Sequence, residues 1–112
     1  MLFFKNKLFV FFLLFFIISN YSYANENLIK ILQEQSNIVF IRHSLAPGNG
    51  DPAEFILSDC STQRNLNQKG VSQSKKIGKF FDKNQIPIEL VLSSEWCRCK
   101  DTAFYAFGDF KT

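Results

Sequence analysis

The chain is poor in several of the residues that carry chemistry. It has one histidine, His43, one tryptophan, one methionine and three cysteines among 112 residues. A site built from several histidines is therefore excluded. The longest unbroken apolar run, Leu8–Ile18, is eleven residues. That falls short of the roughly 18 or more that cross a bilayer, so no stable membrane anchor is expected. Long single-sign charge runs are missing too. Thirteen basic residues stand against ten acidic ones, and two of the basic ones, Lys5 and Lys7, precede the apolar run. The rest of the chain is close to neutral, which gives no support for nucleic-acid binding, since that wants a basic face on the folded domain.

What the first stretch does contain is a basic start, the short apolar centre, and Ser22-Tyr23-Ala24 with small residues at the minus-three and minus-one positions. This is the pattern of a secretory signal peptide cleaved after Ala24. Residues 1–24 are read as the leader and 25–112 as one small domain, exported to the periplasm or secreted. Seven of the fourteen phenylalanines lie in the leader. Export places Cys60, Cys97 and Cys99 where disulfides persist. A disulfide from Cys60 to Cys97 or to Cys99, with one thiol left over, fits that setting. The sequence does not choose between the two. A zinc set of His43 with the three cysteines has poor spacing, and no metal is expected.

Leu28, Ile31 and Leu32 recur at helical spacing, so 25–36 reads as a short leading helix. Ile38-Val39-Phe40-Ile41 is a continuous β-type run, the pattern of a strand buried on both faces of a parallel sheet. Ala46–Pro52 is loop. Ala53–Leu57 reads as a helical turn and Arg64 as a loop charge. Asn67 is an N-cap for a helix over 68–82 with Val71, Ile77, Phe80 and Phe81 as its apolar stripe. Ile88–Leu92 reads as a second strand. Ser94 would cap a final helix over 95–107, which Gly108 ends. Strand, helix, strand, helix is the order of a βαβ crossover. Arg42-His43 and Arg98 then follow the carboxyl ends of the two strands, where such sheets bind ligands.

A neutral imidazole at His43 can attack phosphorus and carry the phosphoryl group. Arg42 and Arg98 can bind phosphate oxygens in pairs and stabilise charge during transfer. Amides at the start of the last helix would add donors.

Three segments carry a family resemblance. Ile41-Arg42-His43 resembles the Arg-His-Gly signature of the histidine phosphatase superfamily, the phosphoglycerate-mutase-like proteins, with Ser44 in place of glycine. Arg64-Asn65-Leu66-Asn67-Gln68-Lys69-Gly70-Val71-Ser72-Gln73-Ser74 resembles its helix start. Ser93–Ala103, with Arg98 and Thr102-Ala103, resembles its Ser-Ser-x-x-x-Arg-x-x-x-Thr-Ala segment. The wording around Asp59–Arg64 and Trp96–Cys99 is similar to its small exported branch. The resemblance implies a three-layer α/β/α fold with a mostly parallel sheet. It implies a metal-independent phosphomonoester hydrolase that needs no cofactor. His43 would be the phosphate acceptor, and Arg42 and Arg98 would hold a small phosphorylated substrate or a phosphoprotein. The family completes its pocket with a later histidine and adds further strands, so 25–112 is expected to be the N-terminal portion of such a domain. The alternative is a truncated or vestigial module that binds phosphate without turnover.

Overall fold

Asn67 starts the most regular part of the protein. Its backbone is extended, and its side-chain oxygen accepts the Gly70 N–H at 2.9 Å. That takes up one of the amides a helix leaves unpaired at its start. In the computed structural model, which describes residues 26–112, the helix that follows is α2, Gln68–Lys83. Asn84 closes it: both its backbone N–H and its side-chain amide donate to the Phe80 carbonyl, at 3.2 and 2.7 Å.

The chain divides into two units after Asn37. In the first, residues 26–33 are helical (α1). The Asn37 amide donates to the Ile31 and Glu34 carbonyls and so terminates the helix. Leu28 and Ile31 on its apolar side are about half exposed. The leader expected over residues 1–24 lies outside the described residues. Among the described residues, no helix is long and apolar enough to cross a membrane.

The second unit is built on α2 and on α3, Cys97–Phe107. The two helices cross where Gly78 meets Ala106. A Cβ at position 78 would overlap the Ala106 carbonyl oxygen, so only glycine allows this backbone approach. Beside it, Phe81 sets its ring against the edge of Phe107, with centroids 5.1 Å apart. The buried face of α2 is Gly70, Ser74, Gly78 and Phe81. The expected stripe of Val71, Ile77 and Phe80 is only half-buried. Small residues are inside because backbone, not side chains, presses on this helix. Gly108, at φ 78°, ends α3 and donates its N–H to the Phe104 carbonyl at 2.9 Å.

The expected three-layer α/β/α fold with a parallel sheet is not what forms. Among the described residues there is no sheet, and the named elements are helices. Ile38–Ile41 finds no ladder partner, and Ile38 and Phe40 are 82% and 94% exposed. The run expected as a second strand makes one parallel bridge, Leu92 with Lys111. Lys111 N–H donates to the Val91 carbonyl at 3.0 Å, and Ser93 N–H to the Lys111 carbonyl at 2.8 Å. β-propensity describes how a side chain fits a pleated, paired surface. A β-branched run becomes a strand only when a neighbour takes its N–H and C=O groups, and neither run finds the other here.

Two smaller expectations also shift. The last helix starts at Cys97, not Glu95, and Trp96 precedes it without a side-chain cap, so Ser94 does not cap it. A 3-10 turn at Cys60–Thr62, capped by Asp59, precedes Arg64, to which no regular element was assigned.

The core is half polar. Ala46, Phe81, Ile86, Cys97 and Ala103 are buried, and so are Ser44, Gln63, Ser74, Arg98 and Thr102. Buried polar groups hold a fold only when they are hydrogen-bonded, and these five converge on one region.

Candidate functional site

His43 lies half-buried just before the buried Ser44. Its Nδ1 stands 2.7 Å from the Ser44 carbonyl oxygen. A carbonyl only accepts, so Nδ1 carries the proton and donates it. In the neutral ring the lone pair is then on Nε2. Of the two ring nitrogens, Nδ1 is the one this contact engages.

Ser44 is the anchor of this arrangement. It is 1% exposed, and its N–H donates to Thr102 Oγ1 at 3.0 Å. Thr102 in turn donates its hydroxyl to the Arg98 carbonyl at 2.7 Å. The Ser44 and Ser74 hydroxyls share a bond of 2.7 Å, and Ser74 Oγ lies 3.0 Å from the Gly70 carbonyl. The serine that stands where the family signature has glycine thus ties the strip after His43 to both α2 and α3. Leu45 extends the docking: its N–H donates to Gln73 Oε1 at 3.0 Å, and its carbonyl accepts from Asn67 N–H at 3.3 Å. Gly70 sits against this strip, and a Cβ there would overlap the Leu45 carbonyl.

Arg98 is the second component. It follows the first residue of α3 and is 9% exposed. Its guanidinium lies over the Trp96 ring, 4.5 Å from the centroid, a cation–π position. Its Nη1 donates to both oxygens of Asp51, at 2.9 and 3.0 Å. The two side chains are 11% and 9% exposed, so this is a buried ion pair. Arg98 Nε is buried without a partner.

Asp51 is itself held in place. Its Oδ1 accepts the Arg64 N–H at 2.9 Å. The Arg64 guanidinium staples the loop, donating from Nη1 to the Ala46 carbonyl at 3.2 Å and to the Gly48 carbonyl. Arg64 is therefore a loop fastener, with Nε buried and unpartnered, and not a solvated charge. Arg42, by contrast, is exposed, and no hydrogen bond or ion pair joins it to another described residue. His43 and Arg98 are brought into one bonded network; Arg42 stands next to it in the chain but outside those bonds.

The start of α3 is less open than expected. Cys97 N–H donates to Gln63 Oε1 at 3.0 Å, and Cys99 N–H turns back to the Trp96 carbonyl at 2.9 Å. Gln63 also donates from Nε2 to the Ile56 and Leu57 carbonyls at 3.1 and 2.8 Å. This glutamine joins the Ile56–Leu57 turn to the start of α3. Cys60 is bonded to Cys97, with Cα atoms 5.6 Å apart, and Cys99 is the free thiol. Two of the three sulfurs are thereby withdrawn from metal ligation. Among the described residues no cluster of three or more His, Cys, Asp or Glu side chains is placed to hold a metal.

Asp51, Gln63, Ser74 and Thr102 were not assigned roles from the sequence. The one signal available was that Ser74 and Thr102 fall inside motif segments and Gln63 inside the Asp59–Arg64 wording. A cleft of about 370 Å³ lies elsewhere, between residues 88–91 and 107–111, and none of the site residues lines it. Comparison of the chain with protein-family models, curated proteins and solved structures finds no match.

Proposed function

We propose that this protein is an exported, metal-independent phosphomonoester hydrolase of the histidine phosphatase type, acting through a phosphohistidine at His43. The observation that carries the reading is the His43 Nδ1 contact with the Ser44 carbonyl, 2.7 Å away. It leaves the lone pair of the neutral ring on Nε2 and sets an acceptor against Nδ1. As Nε2 attacks phosphorus, the ring gains positive charge, and the Ser44 carbonyl stabilises the Nδ1–H that shares it. The P–O ester bond breaks and the alcohol leaves with a proton from water. Water then cleaves the P–N bond, releasing phosphate and returning the electron pair to Nε2.

Arg98 and Arg42 supply the charge complement in this reading. Arg98 has a buried Nε without a partner, a donor that an oxyanion would satisfy; leaving such a donor unpaired costs about 1–3 kcal/mol. Arg42, exposed and adjacent to the nucleophile, meets the substrate from the solvent side. The substrate class is a small phosphomonoester or a phosphoprotein.

The test is phosphoryl trapping with a generic aryl phosphate. Acid-labile, base-stable phosphate on His43, absent from His43→Ala, is the expected result. Turnover unchanged in His43→Ala would remove the nucleophile assignment.

A second reading has its own observation. Arg98 Nη1 is already occupied by Asp51. A module that binds phosphate without turnover would show phosphate binding that depends on Arg98 and no label on His43.

A further inference from the structure

The Asp51–Arg98 pair asks for an explanation that catalysis by His43 does not require. A carboxylate in direct contact with an arginine assigned to phosphate opposes the phosphate. We propose that Asp51 is an internal counter-anion that sets the affinity of the Arg98 site for phosphate dianions; this rests on the phosphatase reading above.

Three observations carry it. First, the contact is built, not incidental: Asp51 Oδ1 also accepts the Arg64 N–H at 2.9 Å, and Arg64 Nη1 pins the loop that leads into Asp51 through the Ala46 and Gly48 carbonyls. Second, both oxygens converge on the single nitrogen Nη1. The carboxylate therefore does not span the guanidinium edge that includes Nε, which is buried and unpartnered. Third, Trp96 covers a flat face of the same guanidinium, which leaves little freedom to swing away from Asp51.

The physical consequence is a balance. Without Asp51, a buried guanidinium would stand uncompensated, which is strongly destabilising. It would also hold the product phosphate tightly. With Asp51, the site is close to neutral before substrate arrives. An incoming dianion binds at the remaining donors against the repulsion of the carboxylate, so binding is weaker and product leaves more readily. A singly charged anion feels that repulsion about half as strongly. The carboxylate thereby biases the site against the most highly charged ligands.

The test uses the full chain and inorganic phosphate, followed by titration calorimetry. Asp51→Asn keeps an oxygen to accept the Arg64 N–H and removes the charge. Phosphate is expected to bind about tenfold more tightly to this variant. In an Arg98→Met background the same substitution should change phosphate binding less than twofold. Unchanged or weaker phosphate binding in Asp51→Asn, with the wild-type circular dichroism spectrum, overturns the proposal. Where Asp51→Asn does not fold, the wild-type protein answers by NMR. Phosphate should shift both the Arg98 Nε–H and the Asp51 carboxyl carbon resonances, and a shift of Arg98 alone overturns the proposal. If His43 is labelled by an aryl phosphate while Asp51→Asn leaves phosphate affinity unchanged, only the counter-anion fails. If His43 is unlabelled and phosphate moves neither resonance, the phosphatase reading fails and takes this inference with it.

Discussion

No side chain fits at Gly70, because the Leu45 carbonyl oxygen stands where its Cβ would be. That single approach lets the strip after His43 lie on the first turn of α2, where Leu45 also bonds Gln73 and Asn67. Gly70→Ala must push backbone from backbone, and an overpacked site of this kind costs on the order of 3 kcal/mol. Gly78→Ala, against the Ala106 carbonyl, belongs to the same class. Urea midpoints should fall for both. Gly50→Ala, where a Cβ meets nothing within 4 Å but φ is +67°, should cost less, about 1 kcal/mol for a left-handed backbone.

Thr102 joins Ser44, the neighbour of His43, to the helix that carries Arg98. Thr102→Val keeps the shape and removes the hydroxyl, leaving the Ser44 N–H buried with no acceptor. An orphaned buried donor costs about 1–3 kcal/mol. Thr102→Ser, which keeps the oxygen, should recover most of it. Chemical denaturation of the two variants side by side makes the comparison. Equal stability of Thr102→Val and the parent would mean that this bond does not hold the site.

The Cys60–Cys97 bond closes a separation of 37 residues, which in the chain-entropy account corresponds to about 4 kcal/mol. Alkylation of the native protein should label Cys99 alone, and reduction should expose the other two. Cys99→Ser should leave the melting temperature nearly unchanged, whereas Cys60→Ala with Cys97→Ala should lower it strongly. Peptide mapping that found Cys60 joined to Cys99 would contradict this pairing.

Asp101 gives a pH-dependent signature. Burial raises its carboxyl pKa from 3.8, opposed by the positive charge of Lys100. A carboxyl that binds protons more readily folded than unfolded costs stability once it ionises. That cost is absent below the unfolded pKa and grows as pH rises through the folded one. Asp101→Asn should therefore stabilise the protein at neutral pH, by no more than about 0.5 kcal/mol at so accessible a position. The gain should vanish near pH 3, below both values. A pH-independent difference would assign the effect to something other than ionisation.

The contrast between expectation and structure has a physical logic. The Asn67 cap, most of α2 and the Gly108 stop were legible because each depends on residues within a turn of one another. The strands were not, because Ile38–Ile41 and Ile88–Leu92 share their residue types with true strands and lack only the neighbour. His43 and Arg98 could be picked out by their motifs. Asp51, Gln63, Ser74 and Thr102 could not, because each acts on a distant partner. Asp51 meets Arg98 across 47 positions, Thr102 meets Ser44 across 58, and Gln63 meets Cys97 across 34. Short polar side chains in such stretches read as solvated until the chain folds and buries them.

The central claim concerns one atom, His43 Nε2. The direct measurement is 31P NMR and mass spectrometry of protein mixed with a generic aryl phosphate and quenched in base. The account predicts acid-labile phosphate on His43, bonded through Nε2 because Nδ1 is engaged with Ser44, and none in His43→Ala. Phosphate bonded through Nδ1, or hydrolysis that proceeds with His43 unlabelled and equally well in His43→Ala, would contradict it.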